Sequence, residues 1–95
     1  MINLELNEKK YPLVASYQAC RDISREFGGL RPALERVAQM DMTAAAFIIQ
    51  VGSSAKLSEV ESDLFANGLL TVGEQLARYL DLLANGGRAS KKESA

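Results

Sequence analysis

The sequence contains no histidine, and its only cysteine is Cys20, in a chain of 95 residues. Histidine is the commonest general acid or base in enzymes and a frequent metal ligand. Cys20 therefore has no histidine to activate it as a nucleophile, and no second cysteine with which to form a disulfide or a Cys/His metal site. We expect a protein that is not an enzyme, that holds no metal or cofactor, and that suits a reducing compartment.

A surplus of basic residues and a long apolar run are missing as well. Eleven Lys and Arg stand against twelve Asp and Glu, for a net charge of −1, so nothing favours the concentrated cationic surface that binds nucleic acid. No stretch approaches the roughly 18 to 20 apolar residues of a membrane-spanning helix, and the first residues, MINLELNEKK, do not have the pattern of a signal peptide. We expect a soluble cytoplasmic protein with neither a membrane nor a nucleic-acid partner.

The N-terminal segment has the period of a β-hairpin. Ile2, Leu4 and Leu6 alternate with polar residues, which predicts a half-buried strand, and residues 11–14 predict its partner. Asn7 tolerates a positive φ, but Glu8 is not the glycine that an ideal two-residue turn prefers. A two-residue turn and a loop of three or four residues therefore both fit.

Helical periodicity begins after the hairpin. The first helix is predicted from its N-cap, Ser16, to Gly28 and Gly29, and the second begins near Arg31 and Pro32. The expected inner faces are Cys20, Ile23 and Phe27 in the first helix, and Leu30, Leu34, Val37 and Met40 in the second.

Two later helices are predicted from capping boxes, in which Ser or Thr caps the amide three residues on and Glu reaches back. Ser58 with Glu61 begins a helix that ends at Asn67 and Gly68, and Thr71 with Glu74 begins another. The expected inner faces are Val60, Leu64 and Phe65 in the former, and Leu76, Tyr79, Leu80 and Leu83 in the latter.

The composition and these elements predict one domain. The chain is 47% hydrophobic and 24% charged, and it is long enough for one core but too short for two. The predicted fold class is α+β, with an N-terminal β-hairpin followed by about five short helices. The domain is expected over residues 1–87, with a flexible C-terminal tail over residues 88–95.

Residues 42–55, with the sequence MTAAAFIIQVGSSA, contain no ionisable side chain. Asp41 or Thr43 can cap a helix there, and its apolar residues extend almost around the whole circumference. Two interpretations stay open. The segment is either a central helix packed on all sides, or a helix that offers part of its apolar face to another chain.

The order of these features resembles a known family. Most of the resemblance lies in FGGLRPALERV at residues 27–37 and RYLDLLANGG at residues 78–87, and with the hairpin and the alanine-rich helix it covers roughly residues 2–87. The chain resembles the small tail assembly chaperones of long-tailed bacteriophages, and is most similar to their gene-transfer-agent and prophage branch.

The resemblance implies a non-enzymatic role. A protein of this family is expected to bind the tape measure protein and keep it soluble during tail tube assembly, and to self-associate. The family's client-binding surface is apolar, and Phe47, Ile48 and Val51 are the partner-binding residues matched to it in this sequence.

Two alternatives compete with this interpretation. A structural virion protein of the connector or tail-terminator type would share the small size and the self-association. A small helical DNA-binding regulator would use Arg31, Arg36 and Arg88, but acidic residues lie close to the first two. The second alternative is therefore the weaker one.

Overall fold

The computed structural model describes residues 2–87 of the chain, and the predicted C-terminal tail lies outside the described residues. Strands β1 (Ile2–Leu6) and β2 (Lys9–Leu13) form an antiparallel hairpin in which Leu6 pairs with Lys9 and Leu4 with Tyr11. The connection has two residues, Asn7 and Glu8, with φ values of 51° and 68°. Positive φ at both positions matches the twist of a tight hairpin, so the shorter of the two predicted connections is the one that forms.

Five helices follow the hairpin: α1 (Tyr17–Phe27), α2 (Leu30–Ala38), α3 (Met42–Ser53), α4 (Leu57–Asn67) and α5 (Gly73–Ala84). The fold is α+β and mostly helical, as predicted. None of these helices, the longest of which have twelve residues, is long and apolar enough to cross a membrane.

Side-chain caps fix the starts of two helices at the predicted positions. The Ser16 hydroxyl accepts a hydrogen bond from the Ala19 amide at 3.1 Å. The Asp41 carboxylate accepts from the amides of Thr43 and Ala44, and Gly28, with a φ of 82°, ends α1. Each cap satisfies backbone groups that a helix end leaves without an intrahelical partner.

The two predicted capping boxes are wrong. Helix α4 begins at Leu57 and its N-cap is Lys56, whose backbone is extended, so Ser58 already lies inside the first turn and cannot cap it. Helix α5 begins at Gly73, because the Val72 amide bonds to the Leu69 carbonyl at 3.1 Å and the chain turns before the helix starts. Thr71 therefore precedes the N-cap and makes no side-chain cap.

Helix α3 lies at the centre of the core. It packs against β2 and against each of the other four helices, and its buried residues are Ala44, Ala45, Ala46, Ile48, Ile49 and Gly52. The predicted stripe of α5 is fully confirmed, since all four of its residues are buried.

Three residues predicted to face inward are instead exposed: Leu34, Met40 and Phe65. Helix α2 packs through Ala33 and Val37, and the small Ala33 side chain brings the helix close to its neighbours. That orientation leaves Leu34 on the outside. Helix α4 likewise packs through Val60 and Leu64, which turns Phe65 toward solvent.

Candidate partner-binding grooves

A large depression lies between β2, α1 and α3, and we call it the α1–α3 groove. It is open to solvent, has a volume of about 830 Å³, and its apolar lining includes Val14, Phe47 and Val51. Helix α1 contributes charged side chains to its wall, namely Asp22, Arg25 and Glu26. The groove therefore combines an apolar part with a charged wall of mixed sign.

Two of the three residues matched to a client surface lie in this groove. Phe47 and Val51 are half-buried and line it. Phe47 also makes an edge-to-face contact with Phe27, with 5.7 Å between ring centroids. Ile48 is different, since it has no exposed surface and belongs to the core. The next residue along a helix is rotated by about 100°, and this rotation carries Ile48 away from the groove and into the interior.

Hydrogen bonds at the end of β2 hold the walls of the groove together. The Val14 amide donates to the Gly52 carbonyl at 3.0 Å, which joins the hairpin to the last turn of α3. The Tyr79 hydroxyl donates to the Val14 carbonyl at 2.6 Å, which adds α5 to the same junction. Both bonds use backbone groups of Val14, so its side chain, 49% exposed, is available at the groove.

A second, smaller groove lies between α2 and the start of α5, and we call it the α2–α5 groove. It has a volume of about 280 Å³, and its lining consists of Leu34, Val37, Ala38, Met40, Leu69, Leu70, Gly73 and Ala77. No ionisable residue belongs to this lining. Its surface is therefore mostly apolar, and the residues Leu34 and Met40, expected in the core, are part of it.

Sequence reasoning missed the α2–α5 groove because its walls are separated by about thirty residues of chain. One signal was present. Leu69 and Leu70 adjoin Gly68 in a connection between helices, and Leu70 is 86% exposed in the structure. Large exposed apolar residues in a connection between helices are a mark of surface that contacts something else.

A cluster of polar side chains joins the hairpin to α4. The Tyr11 hydroxyl donates to the carboxylate of the buried Asp63, and Lys9 Nζ lies 3.3 Å from oxygens of both Asp63 and Glu59. The bond from Tyr11 holds the pKa of Asp63 below its usual value, with Lys9 adding to the effect and burial opposing it. Burial, followed by the bond to Asp63, raises the pKa of Tyr11. These groups are partnered with one another and line neither groove.

Within residues 2–87, no cluster of three or more His, Cys, Asp or Glu could hold a metal ion. Comparison with known proteins found no matching protein-family model, no matching curated protein and no matching solved structure. The two grooves therefore provide the basis for a functional proposal.

Proposed function

We propose that this protein is a non-enzymatic tail assembly chaperone of a bacteriophage, prophage or gene transfer agent. In this proposal it binds the tape measure protein in the cytoplasm of the bacterial host and keeps it soluble while the tail tube forms. The observation that carries the proposal is the α1–α3 groove, where Phe47 and Val51 stand beside a charged wall.

The lining of this groove suits an amphipathic helix. Such a helix has an apolar stripe flanked by charged residues, and it binds by placing the stripe in an apolar groove. Val14, Phe47 and Val51 would contact the stripe. Asp22 and Arg25 on α1 have opposite charges, so each can pair with a flanking residue of the client.

Co-expression with the tape measure protein tests the proposal. Val14→Glu places a charge in the groove without removing the backbone hydrogen bonds of Val14. A matched control is Leu57→Glu on α4, since Leu57 is 44% exposed and does not line the groove. We expect the wild type and Leu57→Glu to co-purify with soluble tape measure protein, and Val14→Glu to lose it while remaining folded.

Two results would contradict the proposal. One is a wild-type chain that neither raises the solubility of the tape measure protein nor co-purifies with it. The other is the presence of this chain in purified, finished particles, because a chaperone leaves the assembly, whereas a connector or tail-terminator subunit remains in it. Mass spectrometry of the particles distinguishes these roles.

A further inference from the structure

Helix α4 presents an aromatic side chain to solvent. Phe65 is 79% exposed, and it lies away from the buried face that Val60 and Leu64 form. Aromatic residues of this kind are frequent anchors of protein interfaces, because they bury a large apolar area at a small cost in conformational entropy. Phe65 is outside the lining of the α1–α3 groove, so the proposed client site does not account for it.

The α2–α5 groove has the complementary property, since it is a mostly apolar depression that no side chain of residues 2–87 fills. Phe65 is not part of its lining, and its exposure shows that it does not occupy the groove of its own chain. Helix α4 packs mainly on α3 and β1, whereas α2 and α5 pack on each other and on α3. Phe65 is therefore distinct from the groove, although Leu69 and Leu70, which line the groove, follow it by only four and five residues.

We propose that Phe65 of one copy inserts into the α2–α5 groove of a second copy, against Leu34. Charge supports a second copy as the occupant. Glu61 precedes Phe65 by one helical turn, and Arg31 precedes Leu34 by one turn. Neither charged residue has an ion-pair partner within residues 2–87.

The spacing of these four residues sets the orientation of the two helices. Residues three or four apart on a helix are neighbours on its surface, about 5 to 6 Å between Cβ atoms. When α4 of one copy lies parallel to α2 of the next, contact between Phe65 and Leu34 brings Glu61 close to Arg31. Parallel docking therefore satisfies the apolar and the charged contact together.

Such an interface is heterologous, because one copy supplies the anchor and the other supplies the groove. Each copy keeps one unused half, so copies add head to tail until a ring closes or a filament grows. The contact uses no residue of the α1–α3 groove. Failure of this inference and failure of the proposed client binding can therefore be told apart, since the former is tested without a client.

Sedimentation of the purified full chain over a range of concentrations tests the inference. We expect the wild type to form larger species as its concentration rises, and Phe65→Ser to weaken association by about 30-fold or more, as for other interface anchors. Tyr17→Ser is the matched control, since Tyr17 is also 79% exposed but lines neither groove. It should associate like the wild type.

Two further experiments identify the partner surface. Glu61→Arg and Arg31→Glu should each weaken association, and the double variant should restore it, because the two charges are exchanged across the contact. Gly73 lines the α2–α5 groove, so the long side chain of Gly73→Gln blocks it. The chain tolerates this substitution, because a Cβ at Gly73 meets no atom within 4 Å. Phe65→Ser mixed with Gly73→Gln should give a dimer with one intact contact.

The inference is overturned if the wild type stays monomeric up to its solubility limit, or if Phe65→Ser associates as strongly as the wild type. It is also overturned if the double charge exchange fails to restore association, or if the mixture remains monomeric. All the substituted side chains except Gly73 are exposed, and circular dichroism of each variant confirms that it is folded.

Discussion

Replacing Gly52 by alanine tests the packing at the junction of β2, α3 and α5. Alanine is the better helix former, by at most about 1 kcal/mol, so helix propensity alone predicts a gain in stability. The surroundings of Gly52 predict the opposite. A Cβ built there would lie 2.8 Å from Tyr79 Oη, 3.0 Å from Tyr79 Cζ and 3.2 Å from Leu13 Cδ2.

The steric cost exceeds the gain in helix propensity. Overpacking a well-packed core costs about 1 to 3 kcal/mol. Moving the Tyr79 ring also weakens its 2.6 Å hydrogen bond to the Val14 carbonyl, which contributes about 1 kcal/mol. After subtraction of the gain in propensity, we expect Gly52→Ala to lower the free energy of unfolding by about 1 to 3 kcal/mol.

Urea unfolding followed by circular dichroism measures this free energy. Gly73→Ala is a control, because its new methyl group meets nothing within 4 Å, and we expect it to leave stability unchanged or slightly higher. In a Tyr79→Phe background the nearest atom is gone and there is no hydroxyl bond left to strain. The loss of unfolding free energy caused by Gly52→Ala should therefore fall by roughly half, and this difference measures the coupling between the two neighbouring residues.

Two outcomes would refute this reasoning. If Gly52→Ala stabilises the otherwise unchanged protein, helix propensity decides the effect and the close contact with Tyr79 is relieved at no cost. If Gly52→Ala costs the same with and without the Tyr79 hydroxyl, the two residues are not coupled.

Three other predictions concern capping and pH. Ser16→Ala should cost about 1 kcal/mol in urea unfolding because it removes a working N-cap, whereas Ser58→Ala, inside the first turn of α4, should change stability by less than about 0.5 kcal/mol. Because the pKa of Asp63 is lowered in the folded state, its contribution to stability is complete above the ordinary pKa of 3.8 and is lost as pH falls below that value. Tyr11→Phe should make the free energy of unfolding fall less between neutral and acid pH. An unchanged dependence of this free energy on pH would contradict the prediction. Burial raises the pKa of Tyr79 to about 12 from 10.0, so stability should fall as pH rises from 10 toward 12, and less so in Tyr79→Phe.

Local sequence patterns predicted the elements of the fold because each depends on residues close in the chain. Alternation over Ile2, Leu4 and Leu6 predicted β1, and Ser16 and Gly28 marked the two ends of α1. Capping at Ser58 failed for a physical reason. A capping box requires an extended backbone at the Ser, and Lys56 adopts that conformation instead.

The candidate site could be predicted only in part. The uncharged segment drew attention to Phe47 and Val51, which line a groove, but periodicity cannot separate them from Ile48, which lies in the core. The buried residues of that segment fit a central helix of the core, and an apolar face offered to another chain stays a prediction for Phe47 and Val51. The other walls of the groove, including Val14, come from distant parts of the chain, and their arrangement is a result of tertiary packing.

The hydrogen bond between Tyr79 and Val14 has a consequence for biosynthesis, because it joins residues 65 positions apart in the chain. The junction with the end of the hairpin cannot close until α5 has left the ribosome. The apolar surface that α5 covers stays exposed until then, and the domain completes its core only after most of the chain has been made. A chain that stops before Tyr79 is therefore expected to be an unfolded polypeptide and not a smaller stable domain.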